Sequence, residues 1–202
     1  MKVDQPRDRS DELHATSKVR FLDVPAHRFV MVDGRGPAGG PAFEARLPGL
    51  YAAAYKVRFA LKAAGAESRV GPLEGLWWTE GGETDLDVIL GSDRSGWRWT
   101  LMIALPDEAT DPDLDAALEA GRAKLDGTVR ENLRIETFAE GRVAQTLHLG
   151  PYATERLSIE RLHEAIHEAG LHERGRHHEL YIGDSRRSAP EKLRTVLRHP
   201  VE

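Results

Sequence analysis

The sequence predicts an α+β protein: two strand-strand-helix-strand-strand halves related by a pseudo-twofold axis, an antiparallel sheet of about eight strands, helices on one face and a ligand groove on the other. Three observations lead there. Val24–Pro37 lines up without a gap on Phe138–Pro151, so that Arg28 and Arg142, Gly36 and Gly150, and Pro37 and Pro151 each stand 114 residues apart, the mark of an internal duplication. Short apolar segments bounded by glycine, proline and polar clusters read as strands. Phe43, Leu47, Leu50, Ala54, Val57 and Leu61, and later Ile159, Leu162, Ile166 and Ala169, recur at helical spacing. Two copies packed about an axis leave a natural cleft at their seam.

In chain order, residues 1–18 form a polar leader expected to be flexible, and 19–202 a single domain of two repeats, about 19–125 and 132–202. Val19–Pro25 and His27–Gly34 read as a hairpin closed by Gly36-Pro37. Proline is tolerated in a first helical turn, so Pro48 predicts a helix beginning near Leu47, with Phe43 in an irregular lead-in and Gly65 at the end. Leu73–Thr79 and Trp97–Leu105 are strands separated by an acidic, glycine-rich loop, 80–96, placed to fold over a cleft. Asp111 and Pro112 open a short helix that ends the first half. The second half repeats the plan: a hairpin of Leu133–Phe138 and Arg142–Leu149, a helix Ser158–Ala169 stopped by Gly170, and strands Arg176–Gly183 and Thr195–Val201.

At 202 residues the chain can bury one sizeable core, and a net charge of −5 gives no global attraction to nucleic acid or an anionic membrane. With no cysteine there is no disulfide framework and no thiolate site. Neither a signal peptide nor a membrane-spanning run is evident, so a cytoplasmic protein is expected.

Several motifs invite chemistry. His163-Glu164-Ala165-Ile166-His167 is an H-E-x-x-H, with Glu173 where some zinc proteases place a third ligand. Both histidines, however, flank the apolar helical stripe, where a solvated surface would also put them. The extended motif needs its histidine one position after His172. No metal is therefore assigned. His177 and His178 are successive on a strand and cannot readily share an ion. Ser185 lacks a nucleophile elbow, and Gly34-x-Gly36 lacks the parallel context of a dinucleotide site. The basic residues Arg186, Arg187, Lys192, Arg194 and Arg198 interleave with acidic ones and no aromatic residues, so they read as a solvated face.

The aromatic and acidic residues form a stronger constellation. All four tryptophans, Trp77, Trp78, Trp97 and Trp99, fall on two strands, and alternation sends one of Trp77 and Trp78 to each face. On Arg176–Gly183, the set His178, Leu180 and Ile182 leans apolar, which predicts Glu179 and Tyr181 on the opposite, helix-free face. A carboxylate among aromatic rings can attract a lipophilic cation, or exchange a proton with substrate or water.

His178-Glu179-Leu180-Tyr181-Ile182-Gly183-Asp184, then Ala189–Thr195 and His199-Pro200-Val201, resemble the GyrI-like small-molecule-binding family, as do Pro72–Trp78 and His148–Tyr152. The resemblance runs from about Val19 to the C-terminus. It implies a duplicated fold and a groove for hydrophobic, often cationic, drug-like compounds, with Glu179 in its floor. Trp77 or Trp78, Trp99, Tyr152 and Tyr181 would be its aromatic walls. It implies no metal or other cofactor. Stand-alone members of similar layout are linked to hydrolysis of cyclopropanoid toxins, which would make Glu179, assisted by Tyr181, the proton-handling residue. The expected roles are thus multidrug binding or sequestration first, cyclopropanoid hydrolysis second, and a gyrase-inhibitor-type protein-binding module third. Nucleic acid and membrane partners are not expected.

Overall fold

A computed structural model describes residues 9–79, 96–183 and 188–202. Eight strands are formed there: β1 (Arg20–Val24), β2 (His27–Arg35), β3 (Leu73–Thr79), β4 (Trp97–Ala104), β5 (Arg134–Phe138), β6 (Gly141–Leu149), β7 (His177–Tyr181) and β8 (Arg194–Pro200). The described helices are α1 (Arg9–Leu13), α2 (Pro41–Glu44), α3 (Leu47–Ala63), α4 (Asp111–Arg122), α5 (Val129–Asn132) and α6 (Arg156–Glu168). The chain divides into two compact units. One is drawn from Met1–Arg9, Ala26–Gly71 and Arg98–Phe138, the other from Ser10–Pro25, Pro72–Trp97 and Ala139–Glu202.

In the first unit β2 is central, antiparallel to β4 on one side and β5 on the other, with Val30 opposite both Ile103 and Ile135. Helix α3 starts as Pro48 predicts and buries Leu50, Ala53, Ala54, Val57 and Leu61. Phe43 lies in the short helix α2, opened by Pro41, rather than in an irregular lead-in. Thr110 and Asp113 start α4 with a capping box: the Thr110 hydroxyl donates to Asp113 Oδ2 at 2.6 Å and its backbone N–H at 3.0 Å. Helices α3 and α4 pack through bare backbone, since a Cβ on Gly121 would come within 2.8 Å of the Gly49 carbonyl oxygen.

In the second unit the strand order is β1-β6-β8-β7-β3, all antiparallel. Helix α6 covers one face, where Ile159, Leu162 and Ile166 bury against Ala144, Leu197 and Val201. The other face is covered too. Ala15, with Leu13 beside it, packs on Leu147, Leu180 and Val196, and the Leu147 N–H donates to the Thr16 carbonyl at 2.8 Å. Residues 10–18 thus pack on this unit, while Arg9, the last residue of the first unit's opening segment, is buried within that unit with its guanidinium 5.3 Å from the Phe29 ring.

Beneath that segment lies a fully buried charge cluster. Arg198 Nη1 reaches Glu140 Oε2 at 2.7 Å while its Nη2 donates to Gln145 Oε1 and the Glu12 carbonyl; His178 bridges Glu140 Oε1 at 2.9 Å and Glu74 Oε2 at 3.1 Å. Burial alone would push the Glu140 carboxyl up, but His178 and Arg198 outweigh it and hold it at about 2. For His178, burial is overcome by Glu140 and Glu74, which raise its pKa. With His178 charged, two cations face two anions and the buried cluster is neutral.

The two expected hairpins are not formed. β1 pairs with β6 and β2 with β5, so the strands of the two aligned segments exchange partners. Neither Pro25-Ala26 nor Ala139-Glu140 is the Asn-Gly or Asp-Gly pair that a two-residue hairpin favours, and the chain instead passes from one unit to the other at both points. Each unit consequently draws on both of the aligned segments rather than on one contiguous half of the chain. The aligned strands β2 and β6 each stand between two partners, and the aligned Gly36 and Gly150 both take positive φ, 102° and 126°.

Candidate functional site

Strand β7 sets His177, Glu179 and Tyr181 on one face and His178 and Leu180 on the other. Glu179 pairs in register with Leu197, which packs under α6. Glu179 and Tyr181 thus lie on the face that carries α6, and the expectation of a helix-free face is corrected. Alternation separated the two sets properly; it could not say which of two covered faces holds the helix.

Opposite Glu179 on β3 is Gly75. Because it has no side chain, the Trp77 indole can lean across it: Trp77 Nε1–H donates to the Tyr181 hydroxyl at 3.2 Å, and that hydroxyl donates to Glu179 Oε2 at 2.7 Å. His177 Nε2 stands 3.6 Å from the other oxygen, Oε1. The Trp97 ring meets Trp77 edge-on at 5.4 Å. Tyr152, in a 3₁₀ turn, Tyr152–Thr154, just after Gly150-Pro151, meets Tyr181 edge-on at 5.8 Å and is 39% exposed. Glu179 is 8% exposed and Tyr181 half-buried, so the carboxylate sits at the margin of the interior with a ring on the solvent side. Burial, then the Glu179 charge and its hydrogen bond, then the Glu155 charge, raise the Tyr181 hydroxyl well above its ordinary pKa, the Trp77 donor opposing them. Tyr181 therefore stays a proton donor throughout the physiological range.

Of the residues singled out in the sequence, Trp77, Tyr152, Glu179 and Tyr181 come together in the second unit. Trp78 points to the opposite face of β3, where the Arg176 guanidinium lies 3.7 Å over its ring. Trp99 belongs to the first unit and is fully buried there, edge-on to Phe43 at 5.6 Å, its N–H donating to the Gly36 carbonyl. Gly75, His177, Trp97 and Glu155 were not singled out as part of this site. Gly75 and His177 had a signal, since each stands two positions from an aromatic or acidic candidate and shares its strand face. Glu155, at the start of α6, had none.

His163 and His167 of the H-E-x-x-H do not converge on a point. They clasp Glu173, His163 Nδ1 at 2.8 Å from Oε1 and His167 Nε2 at 3.0 Å from Oε2. Among the described residues no group of three or more histidine and acidic side chains is arranged to hold a metal ion. Asp184, Ser185, Arg186, Arg187 and all but the last residue of the acidic loop lie outside the described residues. No described helix is long and apolar enough to cross a membrane.

The sequence matches the model of the GyrI-like small molecule binding domain over residues 17–202, and the chain belongs to that family. Its fold is similar to that of an uncharacterized conserved protein from Listeria innocua, with 32% identity and a TM-score of 0.84 over 99% of this chain and 100% of that one. It is also similar to a hydrolase from the same organism, with 30% identity and a TM-score of 0.82 over the whole of both chains. The EcmrR C-terminal domain shares the fold alone, at 13% identity and a TM-score of 0.57 over 92% of this chain and 97% of that one. No curated protein sequence matches the chain.

Proposed function

We propose that this protein is a hydrolase of hydrophobic small molecules in which Glu179 takes a proton from the attacking water, and that its substrates are strained electrophiles of the cyclopropanoid class. One observation carries the reading. Each oxygen of the Glu179 carboxylate faces a group suited to proton traffic, the Tyr181 hydroxyl at 2.7 Å on one and the His177 imidazole at 3.6 Å on the other. Tyr181 fixes the carboxylate by donating to Oε2, which leaves Oε1 to accept. For a three-membered ring conjugated to a carbonyl, the water oxygen bonds to a ring carbon, the ring C–C bond breaks, and its electron pair moves into the carbonyl to give an enolate. The water proton passes to Glu179, and the enolate takes one from solvent. Glu179 is left protonated and must lose that proton before the next turnover. The likeness to a hydrolase at 30% identity supports this order of preference.

A second reading is capture of hydrophobic cations, which the half-exposed Tyr152 and Tyr181 rings beside Glu179 favour. Against it, Trp77 is buried and the Trp78 face already carries Arg176. Either activity would protect a cell from toxic compounds. Incubation with a carbonyl-conjugated cyclopropanoid in isotopically heavy water separates them. Hydrolysis yields a labelled water adduct by mass spectrometry, and Glu179→Gln lowers its rate by about 10²–10⁴-fold. Compound that binds and returns unchanged overturns the hydrolase in favour of capture.

A further inference from the structure

Beneath α6, on the same face of the second unit as Glu179, the histidines left over from the H-E-x-x-H motif and from β7 join into one line. His177 Nε2 is 3.6 Å from Glu179. Its ring lies 5.9 Å from that of His199 on β8, and His199 lies edge-on to His163 of α6 at 5.1 Å. His163 is bound to Glu173, and Glu173 to His167, whose side chain is 60% exposed. We propose that Glu179, His177, His199, His163, Glu173 and His167 form a proton path between the site carboxylate and solvent, distinct from the route by which a ligand enters. The inference rests on reading Glu179 as the group that changes protonation.

Three features support it. His177 and His199 are fully buried, yet among the described residues neither nitrogen of either ring, nor Nε2 of His163, makes a hydrogen bond; the polar contact that these atoms do make is His177 Nε2 at 3.6 Å from Glu179. Apolar side chains would fill this space with less loss of stability, so abutting imidazoles here need a reason other than packing. Neutral imidazole also has the right chemistry, because one nitrogen accepts a proton as the other releases one and no charge need be stored. Burial, with the neighbouring histidines, holds His199 well below its ordinary pKa; burial also brings His163 down to about 4, so both rings are neutral near pH 7. The ring spacings leave the gaps to a bridging water or a small ring rotation. In one passage the Glu179 proton enters His177, each ring passes on the proton of its other nitrogen, and His163 delivers one to Glu173 and then to His167 and solvent. One proton leaves for each that enters, and a return passage restores the tautomers.

The test is solvent exchange of the ring N–H protons in the full chain labelled with nitrogen-15 histidine. With each rate divided by the intrinsic exchange rate of its own group, exchange of His177 and His199 at least about tenfold faster than the backbone amides of Val196 and Leu197 supports the path, since those amides report local opening. In His199→Phe the His177 exchange should slow by about tenfold or more while His167 is unchanged. Ring protons whose normalised exchange is no faster than that of the flanking amides overturn the proposal, as does a His177 rate indifferent to the substitution. Should the variant fail to fold, the wild-type comparison decides alone. Turnover is not read, so a failed path leaves the hydrolase standing, and a failed hydrolase leaves the path measurable.

Discussion

A Cβ on Gly75 would sit 2.8 Å from Trp77 Nε1 and 3.2 Å from the Tyr181 hydroxyl, and neither ring has a flexible end that can give way. Gly75→Ala is expected to push the indole off Tyr181 and break the Trp77-Tyr181-Glu179 chain. Overpacking of this kind costs about 1–3 kcal/mol in urea unfolding, with a shift in tryptophan fluorescence as the direct sign. An unchanged spectrum and unchanged stability would mean that the indole does not depend on the bare backbone. That Glu179 and Tyr181 share one face of their strand was legible in the sequence, because they alternate with an apolar set. The choice between Trp77 and Trp78 was not, since alternation divides neighbours without naming a face; register against β7 makes it, by pairing Gly75 with Glu179. The surroundings of Trp99 were likewise not legible: clustering along the chain brought it near Trp97, while its neighbours Phe43 and Arg46 are set by the packing of α2 and α3.

At the scale of elements, all eight strands and the three longest helices were readable from periodicity and breakers. Their partners were not. Periodicity is a local property, and the exchange of β1 and β5 between the two aligned segments follows from connections that lack hairpin residues. The described part of the segment read as a polar leader contributes mostly through its backbone, which composition does not reveal. Its carbonyls at Glu12, His14 and Thr16 accept from Arg198, Gln145 and Leu147, and only Leu13 and Ala15 signal burial by side chain. Removing residues 1–17 should therefore destabilise the protein by more than about 3 kcal/mol, because buried donors on Arg198 and Gln145 lose their acceptors and an apolar face is uncovered. Urea denaturation of the shortened chain measures this. A midpoint equal to that of the full chain would show that the segment merely rests on the sheet.

For the molecule as a whole, buried titratable groups set the pH range of stability. His163 is lowered to about 4, and His199 is lowered as well, so the unfolded chain binds protons near 6.5 that the folded one refuses. Stability is then full above pH 6.5 and falls as the pH drops toward 4, at about 1.4 kcal/mol per group and unit. Glu140, lowered from 4.5 to about 2, adds a further loss below 4.5. His178 acts oppositely: its raised pKa contributes below 6.5 and is lost as pH rises through the folded value. Melting temperatures across pH 3–9 should fall first on the acid side, and His163→Leu should flatten the limb between 6.5 and 4. A limb that the substitution does not change would assign acid loss elsewhere. The polypeptide also crosses between its two units after Arg9, Pro25, Gly71, Trp97 and Phe138. No single scission of the gene can liberate either unit as a working fragment, so a split reporter, a swapped half or a truncated homologue made from this scaffold has to carry both units or neither.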